Sequence, residues 1–206
     1  MEGIDLRGNV RLLTLETDRL LMRPYHQRDA EAVYKVVSRR EIAETTVNIP
    51  HPYPRGTVDW WINFINENIK NDRAYEFGIF LRQEPHTYIG NCGLLSLSKQ
   101  HNNGEIGYFI SPDYWNCGYG GEAAARVVEF GFKELQLERI YGRCMTKNIG
   151  SRRVMEKAGL KYEGLARHEV LKWDIYEDVW RFGLIREEWQ EAGAFLHNRA
   201  LEIMKT

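Results

Sequence analysis

Apolar positions change their period several times along the chain, and each change predicts an element. Leu15, Leu20 and Met22 sit among polar neighbours from Thr14 to Arg23, which predicts a strand closed by Pro24. Ala32, Val33, Val36 and Val37 recur at helical spacing over Asp29–Val37. After Pro50, Pro52 and Pro54, Thr57 is placed to cap a second helix carrying Trp61, Phe64, Ile65 and Ile69. Tyr75–Leu81, Tyr88–Leu97 and Glu105–Ile110 are short apolar runs separated by Glu84-Pro85 and by polar residues 100–104, a pattern that predicts an antiparallel meander. From Gly120 the helical period returns through Ala123, Ala124, Val127, Val128, Phe130, Gly131 and Leu135. Arg139–Met145 reads as a buried strand, Ile149–Lys157 as a helix stopped by Ala158-Gly159, and Tyr162–Leu171 and Ile175–Ile185 as closing strands. This order predicts a mixed, mostly antiparallel α/β sheet with a strand-helix-strand unit at its centre. A further amphipathic helix is predicted over Glu187–Lys205, with Trp189, Phe195, Leu196 and Ile203 packing on the same domain.

No repeat, low-complexity tract or linker divides the 206 residues, so residues 1–206 are expected to form a single domain. Apolar residues make up 43% and aromatics 12%, enough for a core of its own. The net charge of -1 removes the electrostatic case for coating nucleic acid or an anionic membrane, so any phosphate recognition must be local. Cys92, Cys117 and Cys144 are odd in number and fall at no ligand spacing, and the six histidines are scattered, so reduced thiols and no metal are expected. No run of about 18 apolar residues is present, and residues 1–9 lack the basic start and apolar core of a signal peptide. The expectation is a cytoplasmic protein, monomeric or homodimeric.

The chemistry is concentrated in Tyr114-Trp115-Asn116-Cys117-Gly118-Tyr119-Gly120-Gly121-Glu122-Ala123, which follows a strand and opens a helix. Glycines permit unusual backbone angles and close approach, and the free N–H groups of a helix start receive phosphate oxygens. A ligand-free glycine turn fits the segment equally well. Gly118, Gly120 and Ala123 also match a dinucleotide fingerprint, but no acidic residue stands near Tyr141–Arg143, where that fold needs one for the ribose. The lysine and hydroxyl of a P-loop are missing too.

Several ordered motifs resemble the GNAT acetyltransferase superfamily, and within it the ribosomal-protein N-terminal acetyltransferases of the Rim type. The family's pyrophosphate loop runs Gln or Arg, two residues, Gly, one residue, Gly or Ala; Trp115, Gly118 and Gly120 hold those positions, with Trp115 departing from the pattern. Leu15–Pro24 resembles the family's first strand and Glu105-Ile106-Gly107-Tyr108 its fourth. Asn148, Ser151, Glu156-Lys157 and Gly159-Leu160 resemble its last-helix signatures, with Leu160 in place of Phe, and Tyr162-Glu163-Gly164 and Tyr176-x-Asp178 follow. The likeness spans about residues 14–188, leaving 189–206 as a C-terminal extension.

The resemblance implies a GNAT-type sheet with helices on both faces and a central splay, where acetyl-CoA lies between the family's fourth and fifth strands. Tyr108, Phe109 and Ile110 would pair with pantetheine, the cradle of Cys117, Gly118, Tyr119, Gly120 and Gly121 would hold the pyrophosphate, and Asn148 would bond the cofactor or cap its own helix. Between Arg139 and Ala158, six basic residues (Arg139, Arg143, Lys147, Arg152, Arg153, Lys157) face Glu156 alone, an excess suited to CoA phosphates.

Acetyl transfer from a thioester needs a neutral amine and a proton for the departing thiolate. An α-amine of pKa about 7.7 to 8.0 is roughly a tenth neutral at pH 7, and a lysine near 10.4 less than a thousandth. Glu105 is the candidate base, directly or through water, with Glu169 as the second candidate. Ser151 matches the serine that Rim-type enzymes place near the thiol, whereas Met155 stands where many superfamily members carry a tyrosine. Tyr53, Trp60, Trp61 and Trp173 are candidates to wall an acceptor groove, though core packing explains tryptophans at helical spacing as well. The expected activity is acetyl-CoA-dependent N-acetylation of a protein N-terminus. The alternatives are a polyamine or aminoglycoside acceptor, with Glu44, Asp59, Glu169 and Asp174 near its mouth, or a CoA-binding sensor without turnover.

Overall fold

A computed structural model of the chain describes residues 13–193. The N-terminal apolar stretch folds as a hairpin and not as the single predicted strand. β1 (Leu15–Glu16) pairs antiparallel with β2 (Leu20–Arg23). Thr17 makes the turn: its N–H donates to Leu20 O at 3.0 Å and its Oγ1 accepts from Leu20 N at 2.9 Å.

Three helices follow where two were predicted: α1 (Ala30–Val37), α2 (Arg40–Thr45) and α3 (Thr57–Lys70). The extra one, α2, has only Ile42 and Ala43 buried, too short a stripe to register as a period. Thr57 is the first residue of α3 and not its cap; its hydroxyl donates back to Pro54 O at 2.7 Å. The meander is β3 (Tyr75–Leu81), β4 (Tyr88–Ser98) and β5 (Asn103–Ile110). Then come α4 (Tyr119–Lys133), β6 (Arg139–Met145), α5 (Ile149–Lys157), β7 (Lys161–Lys172) and β8 (Ile175–Ile185). Helix resumes at residues 186–193, where Trp189 stacks on Phe132 at 5.3 Å; the rest of the predicted tail helix, with Phe195, Leu196 and Ile203, lies outside the described residues.

The eight strands form one sheet in the order β1-β2-β3-β4-β5-β6-β8-β7, antiparallel except for β5 beside β6. Alternation on β3 sets the two faces. Tyr75 and Phe77 meet Phe130 of α4 edge-on at 5.4 and 5.7 Å. Phe80 turns the other way, against Tyr88, which in turn neighbours Tyr25, and Tyr25 packs on Trp61 of α3. Helices α1 and α3 therefore cover one face of the sheet, and α4 and α5 the other. One continuous apolar cluster, from Leu13 to Leu184, fills the space between.

The feature that positions the chemistry is the break at the sheet's centre. β5 and β6 pair only over Asn103–Arg139, Gly104–Ile140 and Glu105–Tyr141. Beyond Glu105, β5 stays with β4 as far as Ile110 against Gly90, while β6 stays with β8 as far as Met145 against Val179. Two parallel strands thus part company and leave a V-shaped gap between them.

Candidate active site

The glycine segment sits at the open end of that gap. Gly118, at φ +83°, is the N-cap of α4 in the left-handed region, where a side chain would be strained. The first intrahelical bond runs from Glu122 N to Gly118 O at 3.2 Å, so the N–H groups of residues 119–121 precede the ladder and are the ones a helix start offers to an anion. Gly120 serves packing: a Cβ there would lie 3.1 Å from Val154 Cγ2, so the missing side chain lets α4 and α5 approach. A Cβ on Gly121 would only reach ordinary contact with Lys157 Cδ at 3.4 Å. Trp115 replaces the family's polar residue with a brace, its Nε1 donating to Ile110 O at 2.6 Å. Cys117 is exposed, and its carbonyl accepts from Arg19 at 3.0 Å.

Arg19 is a contributor that the sequence pattern did not reveal. From the β1–β2 turn its Nε reaches Glu122 Oε2 at 2.7 Å, and its guanidinium lies 4.5 Å from the centre of the Tyr119 ring. Glu122 also accepts from Thr17 Oγ1 at 2.6 Å. Burial pushes the Glu122 carboxyl up, but these hydrogen bonds outweigh it and hold it below the usual range. The hairpin is thereby clamped to the start of α4.

The predicted basic excess is largely cancelled in the fold. Arg139 pairs with Glu163, Arg143 with Glu105, Lys147 with Glu177 and Arg152 with Glu156. Glu156 lies within the run, but Glu105, Glu163 and Glu177 come from β5, β7 and β8, which a local charge count does not see. Arg153 and Lys157 alone of the six have no carboxylate partner among the described residues. They stand four residues apart on α5, hence on one helical face, with the Lys157 stem against Gly121. The unpaired positive charge is therefore concentrated beside the glycine cradle.

Ser151 and Tyr108 meet across the gap. Tyr108 Oη donates to Ser151 O at 2.8 Å and lies 2.9 Å from Ser151 Oγ. The tyrosine's single proton goes to the carbonyl, so the serine hydroxyl is the donor in the second contact. Burial raises the Tyr108 pKa well above normal, and it pushes the Cys144 thiol up to about 11. Asn148 caps α5: its side chain accepts from Ser151 N at 2.9 Å and donates to Thr45 O at 2.9 Å. Phe109, one residue on from Tyr108, points to the opposite face of the sheet, and Ile110 O is occupied by Trp115. Met155 is buried, with its sulfur against Gly142.

Glu105 is the last β5 residue paired with β6, at the apex of the gap. Arg143 Nε donates to its Oε1 at 3.0 Å and, through another nitrogen, to Glu169 at 3.1 Å. Arg181 binds Glu169 as well, at 2.9 Å. Burial raises the Glu169 carboxyl, and the two arginines more than reverse it, holding it below the usual range. Of the aromatic candidates, Tyr53 meets Tyr34, Trp61 meets Tyr25, Trp60 is exposed and stacks on Phe64, and Trp173 lies under Arg40 and Lys172. Lys172 donates to Ile49 O at 2.9 Å, tying the loop after α2 to β7, and burial lowers its pKa.

A sheet opened between two central parallel strands, with a glycine turn and a helix start at its mouth, presents free N–H groups to an anion at the end of an open cleft. The chain belongs to the acetyltransferase (GNAT) domain family, which it matches over residues 19–161. A relative is the uncharacterized N-acetyltransferase YnaD of Bacillus subtilis, 35% identical over 177 residues that cover 85% of this chain and 98% of that one. The ribosomal-protein-S5-alanine acetyltransferase of Vibrio fischeri shares the fold with a TM-score of 0.76 at 20% identity, covering 86% of this chain and 98% of that one. A spermidine N-acetyltransferase of Vibrio cholerae, solved with CoA and spermine, shares it with a TM-score of 0.73 at 21% identity, covering 84% and 99%. The protein is an acetyl-CoA-dependent N-acetyltransferase that acts on an amine. Among the described residues no cluster fit to hold a metal is present, and no helix is long and apolar enough to cross a membrane.

Proposed function

We propose that the acceptor is the α-amine at the N-terminus of a protein or peptide, reaching the gap from the face covered by α1 and α3. The observation that carries this reading is the state of the carboxylates at that mouth. Glu105 and Glu169 share Arg143, Glu169 also holds Arg181, and Glu44 is paired with Arg40. A polyamine with several ammonium groups needs several uncommitted acids close together; arginines answer Glu44, Glu105 and Glu169, and of the acids expected near the mouth only Asp59 and Asp174 have no ion pair among the described residues. A single ammonium group needs one, and Glu105 keeps Oε2 for it while Arg143 occupies Oε1. Glu105 is thus assigned to holding the acceptor.

In this reading the N–H groups of the Gly118–Gly121 turn hold the pyrophosphate, assisted by Arg153 and Lys157, and the edge of β5 from Ile106 to Tyr108 guides pantetheine into the gap. The amine nitrogen attacks the thioester carbonyl carbon, the C–S bond breaks, and the Ser151 hydroxyl delivers a proton to the departing sulfur. Solved relatives of this fold act on both ribosomal-protein and spermidine amines by their descriptions, so the acceptor rests on the site's own charge balance. The test is a comparison of kcat/KM for alanine-initiated peptides and for spermidine. A higher value for the peptides is expected; preference for spermidine over every peptide overturns the reading.

A further inference from the structure

Helix α2, which the sequence pattern does not show, spans the open end of the gap. Its N-cap, Arg39, donates to Asp113 Oδ1 at 3.3 Å, in the turn Pro112–Tyr114 that follows β5. Its last residue, Thr45, offers a carbonyl to Asn148 Nδ2 at 2.9 Å, three residues past the end of β6. The two arms of the gap are β5 and β6, so a six-residue helix of about 9 Å runs from beyond one arm to beyond the other.

From α2 the chain must reach α3 at Thr57, and residues 47–53 make no backbone–backbone hydrogen bond among the described residues. The hydrogen bonds that reach the start of this segment come from one side chain on the outermost strand. Lys172, the last residue of β7, donates from Nζ to Ile49 O at 2.9 Å and to Val47 O at 3.3 Å. The same hairpin tip meets α2 directly, the Arg40 guanidinium lying 5.6 Å from the centre of the Trp173 ring. Lys172 is only 7% exposed, and no carboxylate pairs with it among the described residues. A buried ammonium without an ion pair costs folding free energy, and the like charge of Lys147 adds to that cost. An apolar side chain would avoid the cost, yet it would leave the carbonyls of Val47 and Ile49 without this donor.

We propose that Lys172 is a positioning residue for the acceptor, holding residues 47–49 and the end of α2 as a fixed wall across the mouth of the gap. This rests on the reading of an amine entering from the α1 and α3 face, whichever amine it is. The role is one of shape: Lys172 binds backbone carbonyls and takes no part in bond making. It sets the entrance by which the acceptor arrives, whereas the glycine cradle for acetyl-CoA is built at the start of α4, on the other face of the sheet.

The test is Lys172→Met in the full chain, with an alanine-initiated peptide as acceptor and spermidine as a second one. The wall loosens, so KM for the acceptor is expected to rise about tenfold, with kcat and the acetyl-CoA dissociation constant each within about threefold of wild type. Lys172→Arg keeps donors for both carbonyls and should bring KM back to within about threefold of wild type. A merely structural lysine predicts the opposite set, in which kcat and acetyl-CoA binding fall with the folded fraction and KM for the acceptor stays unchanged. That set, or an unchanged KM in a folded Lys172→Met chain, overturns the proposal. Should Lys172→Met fail to fold, Arg40→Ala decides, because the Arg40 side chain is exposed and docks α2 on the same hairpin tip. A rise in KM of about threefold at constant kcat is then expected, and an unchanged KM overturns the proposal. Turnover of spermidine alone would overturn only the peptide reading, and its KM would still judge Lys172.

Discussion

Tyr108 Oη lies 2.9 Å from Ser151 Oγ, and through this contact the strand that lines the opening and the helix beside it are joined three residues beyond the last pair between the two central strands. The serine is the donor in that contact, and in the proposed reaction its proton is the one handed to the departing thiolate.

Ser151→Ala is therefore expected to lower kcat by about tenfold or more while leaving acetyl-CoA affinity nearly unchanged. Tyr108→Phe removes the acceptor that orients the serine proton and should give a smaller loss. Stopped-time assays paired with calorimetric titration of acetyl-CoA measure both quantities; full activity of Ser151→Ala removes the serine from proton delivery.

The glycines of the cradle predict two different failures. Gly118→Ala places a side chain at φ +83° and should cost about 1 to 2 kcal/mol of stability. Gly120→Val pushes extra methyls toward Val154, 3.1 Å from the Cβ position, and should spread α4 from α5 and weaken acetyl-CoA binding about tenfold, or 1.4 kcal/mol. Denaturant melts and acetyl-CoA titrations separate the two; unchanged affinity in a folded Gly120→Val chain contradicts the cradle.

Arg153 and Lys157 should act together on CoA phosphates. The double Arg153→Ala, Lys157→Ala variant is expected to bind acetyl-CoA about tenfold more weakly and to lose part of the salt dependence of binding. Arg152→Ala, which removes a side chain already paired with Glu156 at 2.8 Å, should change little. Equal losses in the two would show a diffuse field in place of a specific contact.

The contrast between these arginines shows where the sequence was legible. Periodicity located most of the helices and strands because Tyr75, Phe77 and the Ala123–Phe130 stripe meet each other in one core, so local pattern and tertiary packing agree. It missed the Thr17 turn, since Leu15, Leu20 and Met22 face one interior on both sides of the bend. It missed the cancellation of the basic run because Glu105, Glu163, Glu169 and Glu177 come from distant strands. The Gly118 turn was readable from composition, whereas the packing role of Gly120 depends on Val154 of another helix.

The central claim, transfer to an α-amine, is tested most directly by one peptide that carries both amines: an alanine at a free N-terminus and a single internal lysine. Incubated with the enzyme and acetyl-CoA at pH 7, its product is mapped by tandem mass spectrometry. The account predicts acetyl on the terminal nitrogen, in keeping with the gap of about two and a half pKa units between the two amines. Acetyl predominantly on the lysine nitrogen would contradict it.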